Sequence, residues 1–241
     1  MLSKMPNFRR ILIKISGEAL MGQQKFGIDP LICREICLSL KALQELNIEV
    51  AVVVGGGNIF RGLQSQTLGF ERVASDQIGM LATCMNGLVL DQTLKSLGSF
   101  SQVMSGISCA SFLPPFEKRS ALEHLKNKDI LIFTGGTGNP FFTTDTAAAL
   151  RACEIEADVL FKATKVNGIY NKDPKEFKDA VRYSSLTYSD VLTRKLAVMD
   201  AAAISLCREN HIPIIVFDLL EKDSLLKAAQ KEPIGTLVTG E

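Results

Sequence analysis

Short, continuous, β-branched runs recur along the chain, and they limit the fold more than any other feature. Besides Phe100–Met104, Ile212–Phe217 and Gly235–Val238, which read as strands, the runs Arg9–Ile15 (RRILIKI), Glu49–Val54, Asp129–Phe133 and Asp158–Ala163 (DVLFKA) are too uniformly apolar to alternate inside and outside. Such runs read as strands covered on both faces. Between them lie segments with helical apolar spacing. One opens at Asp29-Pro30, a cap followed by proline at the first helical position, and runs to about Leu46. Others span Val73–Leu97, Phe116–Asn127, an alanine-rich stretch after Asp145, Asp200 to about Asn210 (with Asp200 as cap) and Leu220–Lys231. Leu20–Gly27 and Lys175–Thr187 read as loops, with a helical turn over Tyr188–Leu192. Strands alternating with helices predict an α/β fold: one αβα sandwich around a mainly parallel sheet. Pro213 argues that its strand lies at an edge or that the proline opens it.

Three of these strands run into small-residue turns. Ile15 leads to Ser16-Gly17, Val54 to Gly55-Gly56-Gly57-Asn58 with Arg61-Gly62 beyond, and Phe133 to Thr134-Gly-Gly-Thr-Gly138. The last continues through Asn139, Pro140, Phe141 and Phe142 to Thr143, Thr144, Asp145 and Thr146, where the alanine helix starts. A strand, a glycine turn and a helix start leave outward backbone N–H groups that favour an anion. A plain tight turn with a Thr or Asp cap explains that stretch alone equally well. Two lysines shift the balance: Lys14 and Lys162 each stand near the carboxyl end of an apolar run. Either could be an edge solubiliser, but ligands of open α/β sheets bind at that end. Paired cations beside glycine turns suit phosphoryl transfer, in which charge spreads over the moving group's oxygens.

Composition removes several classes. A formal net charge of +1 gives no global attraction to nucleic acid or anionic lipid, and no basic stripe is visible. No apolar run reaches the roughly 18 residues of a membrane span. The start of the chain lacks the apolar core of a secretory signal, so a cytoplasmic protein is expected. The six cysteines form no CxxC pair and read as buried free thiols; no protein metal cage is expected from them or from the two histidines. The Walker pattern GxxxxGK[ST] is absent, and Gly135-Gly136-Thr137-Gly138 has the wrong spacing for a dinucleotide fingerprint.

The remaining pattern resembles the amino acid kinase superfamily, and within it the bacterial uridylate kinases. The resemblance rests on Lys14-Ile-Ser-Gly-Glu18, Gly55–Gly62, Asp76 with Gly79–Ala82 and Met85–Gly87, Thr137–Asp145, Lys162–Val166 with Gly168, Asp173-Pro174 and Val198–Asp200. It implies a single domain over 1–241, with an acceptor-nucleotide half to about 155 and an ATP half from about 156. It implies transfer of the ATP γ-phosphoryl group to UMP in pyrimidine nucleotide synthesis, with Mg²⁺ carried mainly by the phosphates. Lys14, Lys162, Asp145 and Asp200 would be catalytic. Lys14, Ile15, Ser16, Gly17, Gly57, Arg61, Thr164, Tyr170 and Asp173 would bind ATP, with Arg61 reaching the UMP phosphate or the transferring group. Gly56, Asp76, Thr137, Gly138, Asn139, Pro140, Phe141, Phe142, Thr143 and Thr144 would bind UMP, Asp76 accepting from its ribose hydroxyls. The family pattern also implies a homohexamer, activated by GTP and inhibited by UTP. Asn167 departs from the family's usual Asp, and the Met21–Lys25 loop has fewer glycines and acids than many members. A relative phosphorylating a carboxylate or carbamate, and a nucleotide sensor without catalysis, are the alternatives.

Overall fold

The fold was analysed in a computed structural model whose described residues are 8–61, 69–109, 111–174, 176–196 and 198–240. Gly62, Lys175 and the chain start before Phe8 lie outside them. Eight strands form one sheet: β1 Arg10–Ile15, β2 Glu49–Val54, β3 Ser101–Ser105, β4 Ile130–Thr134, β5 Val159–Thr164, β6 Ser185–Leu186, β7 Ile214–Asp218 and β8 Thr236–Val238. Their spatial order is β3-β4-β2-β1-β5-β7-β8-β6. Neighbours from β3 to β7 run parallel, and β8 is antiparallel to β7. The chain leaves β1 in one direction toward β2 and later returns to its other side as β5. The β1–β5 seam is therefore the switch point of the sheet.

The helices are α1 Pro30–Glu45, α2 Arg72–Ser96, α3 Lys118–Lys126, α4 Thr144–Glu154, α5 Tyr188–Thr193, α6 Ala201–Glu209 and α7 Ser224–Ala229. They cover two faces. Ile13, Ile15, Val52 and Phe161 join side chains of α1, α2 and α7 in one apolar core. Leu12, Val53 and Leu160 join α3, α4, α5 and α6 in the other. The period of two along each strand thus assigns every second residue to one core. This places Lys14, two residues after Leu12, on the α4–α6 face of β1.

Local sequence explains most boundaries. The Asp29 carboxylate accepts from Leu31 N and Ile32 N, and Pro30 follows at the first helical position. Thr187 and Asp190 form a reciprocal capping box for α5. Four expectations need correction. The Leu20–Gly27 loop begins inside a 3₁₀ helix, Gly17–Met21, because Ala19 and Leu20 are wholly buried. The Lys175–Thr187 segment contains β6, which finds its ladder only by joining the distant β8. Of the two readings of Pro213, the edge one fails, since β7 lies between β5 and β8; the strand-opening one holds, because Pro213 immediately precedes Ile214 and its carbonyl accepts from Leu160 N at 2.9 Å. The last helix, α7, is shorter than Leu220–Lys231, starting after Asp223 in a left-handed conformation.

Candidate active site

Lys14 on β1 and Lys162 on β5 are direct register partners across the switch seam. Their position in the sheet's middle rules out the edge-solubiliser reading. Side chains at paired positions of a parallel ladder point to the same face, here the one occupied by α4. Asp145, in the first turn of α4, lies between them. Lys14 Nζ is 2.8 Å from Asp145 Oδ1, and Lys162 Nζ is 2.6 Å from Asp145 Oδ2. The three side chains are only 8, 15 and 12% exposed for Lys14, Asp145 and Lys162. One carboxylate against two ammonium groups leaves a net positive charge in a nearly dry site. Burial lowers the Lys162 pKa to about 8, the neighbouring Lys14 charge adds to this, and Asp145 opposes it. Burial works against ionising Asp145, but the two lysines outweigh it and hold its carboxyl below the usual range.

The start of α4 is built for this. Thr143 caps it, its hydroxyl accepting from Asp145 N and Thr146 N. The same hydroxyl donates to Asp200 Oδ2, which Thr146 Oγ1 also reaches at 2.7 Å. Asp200 Oδ1 in turn caps α6 through Ala203 N at 2.8 Å. Asp200 thus ties two helix N-termini together, and its described partners are these threonines and this amide. Both helix ends bring partial positive charge.

The glycine turns divide into packing and open positions. A side chain at Gly55 would meet Gly17 N at 2.9 Å, and one at Gly17 would meet Gly57 N at 2.8 Å. The first two turns therefore interlock backbone to backbone, with Gly55 N donating to Ile15 O at 2.9 Å. Gly56 leaves room for α2, whose Gly79 O would lie 2.8 Å from an added side chain. Gly57 stands open, with nothing nearer than Glu18 Cγ at 3.8 Å. In the third turn Gly135, Gly136 and Gly138 take φ of +71°, +60° and +81°, a region side-chain-bearing residues avoid. Ser16 stands just before the 3₁₀ helix. Arg61 Nε donates to Gly57 O at 3.0 Å, and its Nη2 is 3.1 Å from Glu18 Oε1.

A cleft of about 570 Å³ opens beside these turns, lined by Gly56, Gly57, Arg72, Asp76, Phe142, Thr143 and Thr144 among others. Asp76 sits in the second turn of α2. Glu71, not Asp76, is the residue at the cap position of that helix. Phe141 N donates to Asp76 Oδ2 at 2.8 Å, which draws the Thr137–Phe142 loop to α2. Within the loop, Asn139 N donates to Thr137 Oγ1 at 3.2 Å, Gly138 packs on Gly106 O, and Pro140 follows. Farther along the carboxyl end, Thr164 Oγ1 accepts from Val166 N at 2.9 Å. Tyr170 forms an isolated bridge with Arg182, whose Nη1 donates to Asn167 Oδ1 at 2.9 Å. Asp173 is exposed, and its carbonyl accepts from Phe177 N at 2.9 Å. His124 pairs with Asp129 at the opposite, amino-terminal end of β4. The six cysteines form no disulfide. Among the described residues no three His, Cys, Asp or Glu side chains converge as a metal cage.

Sequence reasoning passed over two features. Asn58 and Asn86 are 1 and 0% exposed and exchange amide hydrogen bonds of 2.9 and 2.6 Å. Their remaining amide hydrogens reach Gly27 O and Gly55 O at 3.0 and 2.7 Å, so the pair clamps the triple-glycine turn to α2 and to the loop before α1. An asparagine on the apolar face of a long helix was the available signal. The second feature is Arg72, four residues before Asp76, a spacing that pairs opposite charges on one helix face.

A mostly parallel sheet, with two lysines and an aspartate buried at its switch seam and a cleft lined by glycine turns and the start of α4, has the features of an α/β fold that handles phosphate. The amino acid kinase family model matches residues 9–218. A uridylate kinase from Dichelobacter nodosus is 48% identical over 233 residues, covering 97% of both chains. The UMP kinase structure from Bacillus anthracis superposes with a TM-score of 0.94 at 37% identity, covering 97% of both chains. That from Ureaplasma parvum gives 0.91 at 34% identity, covering 98% of this chain and all of that one. The chain belongs to the amino acid kinase family.

Proposed function

We propose that this chain is a UMP kinase, transferring the γ-phosphoryl group of ATP to UMP to give UDP. The observation that carries the reading is the Lys14–Asp145–Lys162 triad at the switch seam, in a chain 48% identical to a uridylate kinase. A UMP phosphate oxygen is already anionic near neutral pH, so it attacks the γ-phosphorus without a general base. The new P–O bond forms as the bond to the ADP oxygen breaks. The chain's task is to position the reactants and neutralise charge on the three equatorial oxygens. Lys14 and Lys162 supply that charge, and Asp145 keeps both aimed. Asp200 orders the α4 and α6 N-termini around them.

In this reading the acceptor half runs to about residue 155 and the ATP half from about 156. UMP occupies the cleft, with its phosphate near Gly56, Thr143 and Thr144, its ribose on Asp76, and its base against the Thr137–Phe142 loop. Ile15, Ser16, Gly17, Gly57 and Arg61 approach the ATP phosphates, while Thr164, Tyr170 and Asp173 flank its nucleoside. Arg61 would exchange Glu18 for phosphate. Mg²⁺ would neutralise the ATP phosphates and be held by them, since Asp145 and Asp200 are engaged by lysines and threonines. Leu81, Met85 and Val89 form an exposed apolar stripe on α2, which supports a homo-oligomer; hexamer assembly, GTP activation and UTP inhibition belong to the same proposal. Among the described residues no helix is long and apolar enough to cross a membrane, and we assign the enzyme to the cytoplasm.

The cleft favours UMP over a carboxylate or carbamate acceptor, because it offers the planar faces of Phe142 and a hydroxyl-accepting Asp76 beside the glycine turn. The test is a phosphorylation panel of UMP, CMP, carbamate and acetylated amino acids with Mg·ATP. UMP should be turned over fastest; absence of UMP turnover would overturn the reading. GTP should sharpen UMP saturation, and unchanged kinetics would remove the regulatory part alone.

A further inference from the structure

Near the mouth of the cleft, three groups hold one another in a closed ring. Arg72 Nε lies 3.0 and 2.8 Å from Asp76 Oδ1 and Oδ2. Asp76 Oδ2 accepts from Phe141 N at 2.8 Å. The Arg72 guanidinium stands 5.7 Å from the centroid of the Phe141 ring, within range of a cation–π contact. Phe141 adopts φ +72°, a left-handed backbone that costs a side-chain-bearing residue free energy unless its surroundings impose it. The ring of contacts supplies that imposition from both sides, through the amide and through the aromatic face.

We infer that Arg72 is a positioning residue of the acceptor subsite, acting through Asp76 on ribose selection; the inference rests on the reading of the cleft as a UMP site. An ionised carboxylate has about four acceptor positions on its two oxygens. Arg72 and the Phe141 amide occupy part of this capacity and fix the carboxylate's rotation. The remaining positions stay for a ligand's hydroxyl donors in the cleft that Asp76 lines. A site built to accept from a hydroxyl loses binding when that hydroxyl is missing, so Asp76 sets the preference for a ribonucleotide over its deoxy analogue. The preference depends on direction, and direction is what Arg72 provides. An exposed ion pair four residues apart on a helix is weak by itself, and the Arg72 side chain is 61% exposed. The third contact, to a strained loop residue, makes the arrangement more than a surface pair. It also couples the loop's position to the carboxylate's orientation through the Phe141 amide, alongside the packing of Gly138 on Gly106.

The test is steady-state kinetics with UMP and dUMP for the wild-type chain, Arg72→Met and Arg72→Lys, with thermal unfolding as a control on folding. Arg72→Met should raise the KM for UMP about tenfold and leave the KM for ATP and the unfolding temperature nearly unchanged. The ratio of kcat/KM for UMP over dUMP should fall at least threefold. Arg72→Lys, which keeps the charge but not the fixed fork, should recover part of that ratio. Equal losses on UMP and dUMP in Arg72→Met, or no loss on either, would overturn the inference. So would a wild-type enzyme that treats the two nucleotides alike while turning UMP over. A wild-type chain that turns over neither nucleotide would instead overturn the UMP reading on which the inference stands.

Discussion

The site contains two carboxylates that each bind cations, and they are built in opposite ways. Asp145 joins Lys14 and Lys162, and none of the three side chains is more than 15% exposed. Asp76 joins the exposed Arg72 and a loop amide, and only Asp76 itself is sheltered, at 20%. The first triad is fixed by strand register, since Lys14 and Lys162 are partners in a central ladder and cannot slip without turning a core face outward. The second depends on a loop that keeps a phenylalanine in a left-handed conformation. In the proposed reading the transfer end is therefore pre-organised before any ligand binds, while the acceptor end can adjust. Chemistry that relies on electrostatic preorganisation gains from the first arrangement, and discrimination among acceptors can be tuned in the second.

The most damaging way to break the rigid side is Asp145→Asn. It leaves two nearly buried ammonium groups facing each other without a counter-charge, so stability should fall by about 3–5 kcal/mol. Turnover should drop at least a hundredfold because the lysines swing apart; denaturant unfolding and steady-state rates check the two effects. The Asn58–Asn86 clamp comes next. Asn86→Leu strands buried amide and carbonyl groups on Asn58 and Gly55 and should destabilise the fold by about 1–3 kcal/mol. Its UMP affinity should weaken through the displaced glycine turn, measurable by calorimetry at a temperature where the variant remains folded. The gentlest probe is pH. With Lys162 lowered to about 8, its charge is present below that pH and lost above it. The kcat/KM for ATP, which reports the free enzyme, should accordingly be flat below pH 8 and fall toward tenfold per unit above it. A profile still flat at pH 9.5 would mean that the lysine keeps its ordinary affinity for protons, and that burial at the seam is weaker than the geometry implies.

Much of the rigid side was legible from the sequence, and little of the adjustable side was. An apolar run with one lysine near its end points to a strand and to a candidate site at its carboxyl end, because burial punishes a lysine that has no partner. RILIKI and DVLFKA could be read that way without knowing that they would be neighbours. The alternation of runs and helices gave the parallel sheet. For Pro213 the sequence leaves an edge and a strand-opening position open; it opens β7, and the choice between them rested on β8, which arrives antiparallel from the far end of the chain. The two-residue β6 escaped for the same reason. Glycines offer two explanations at once, close packing and approach to a ligand. Gly17, Gly55 and Gly56 are required by backbone packing, whereas Gly57 is the open one. Asn86 and Arg72 carried signals that are visible only against a helix whose faces are already known.

The most direct test of this division is Lys162→Met, with kcat and the UMP dissociation constant measured on the same preparation. The lysine sits on the rigid side and away from the Asp76 rim, so turnover with Mg·ATP should fall by about two to three orders of magnitude. UMP affinity by calorimetry should stay within about a factor of three of wild type. Preserved turnover, or a loss of UMP binding as large as the loss of rate, would contradict a site in which strand lysines carry the transfer and the loop-bound rim selects the acceptor.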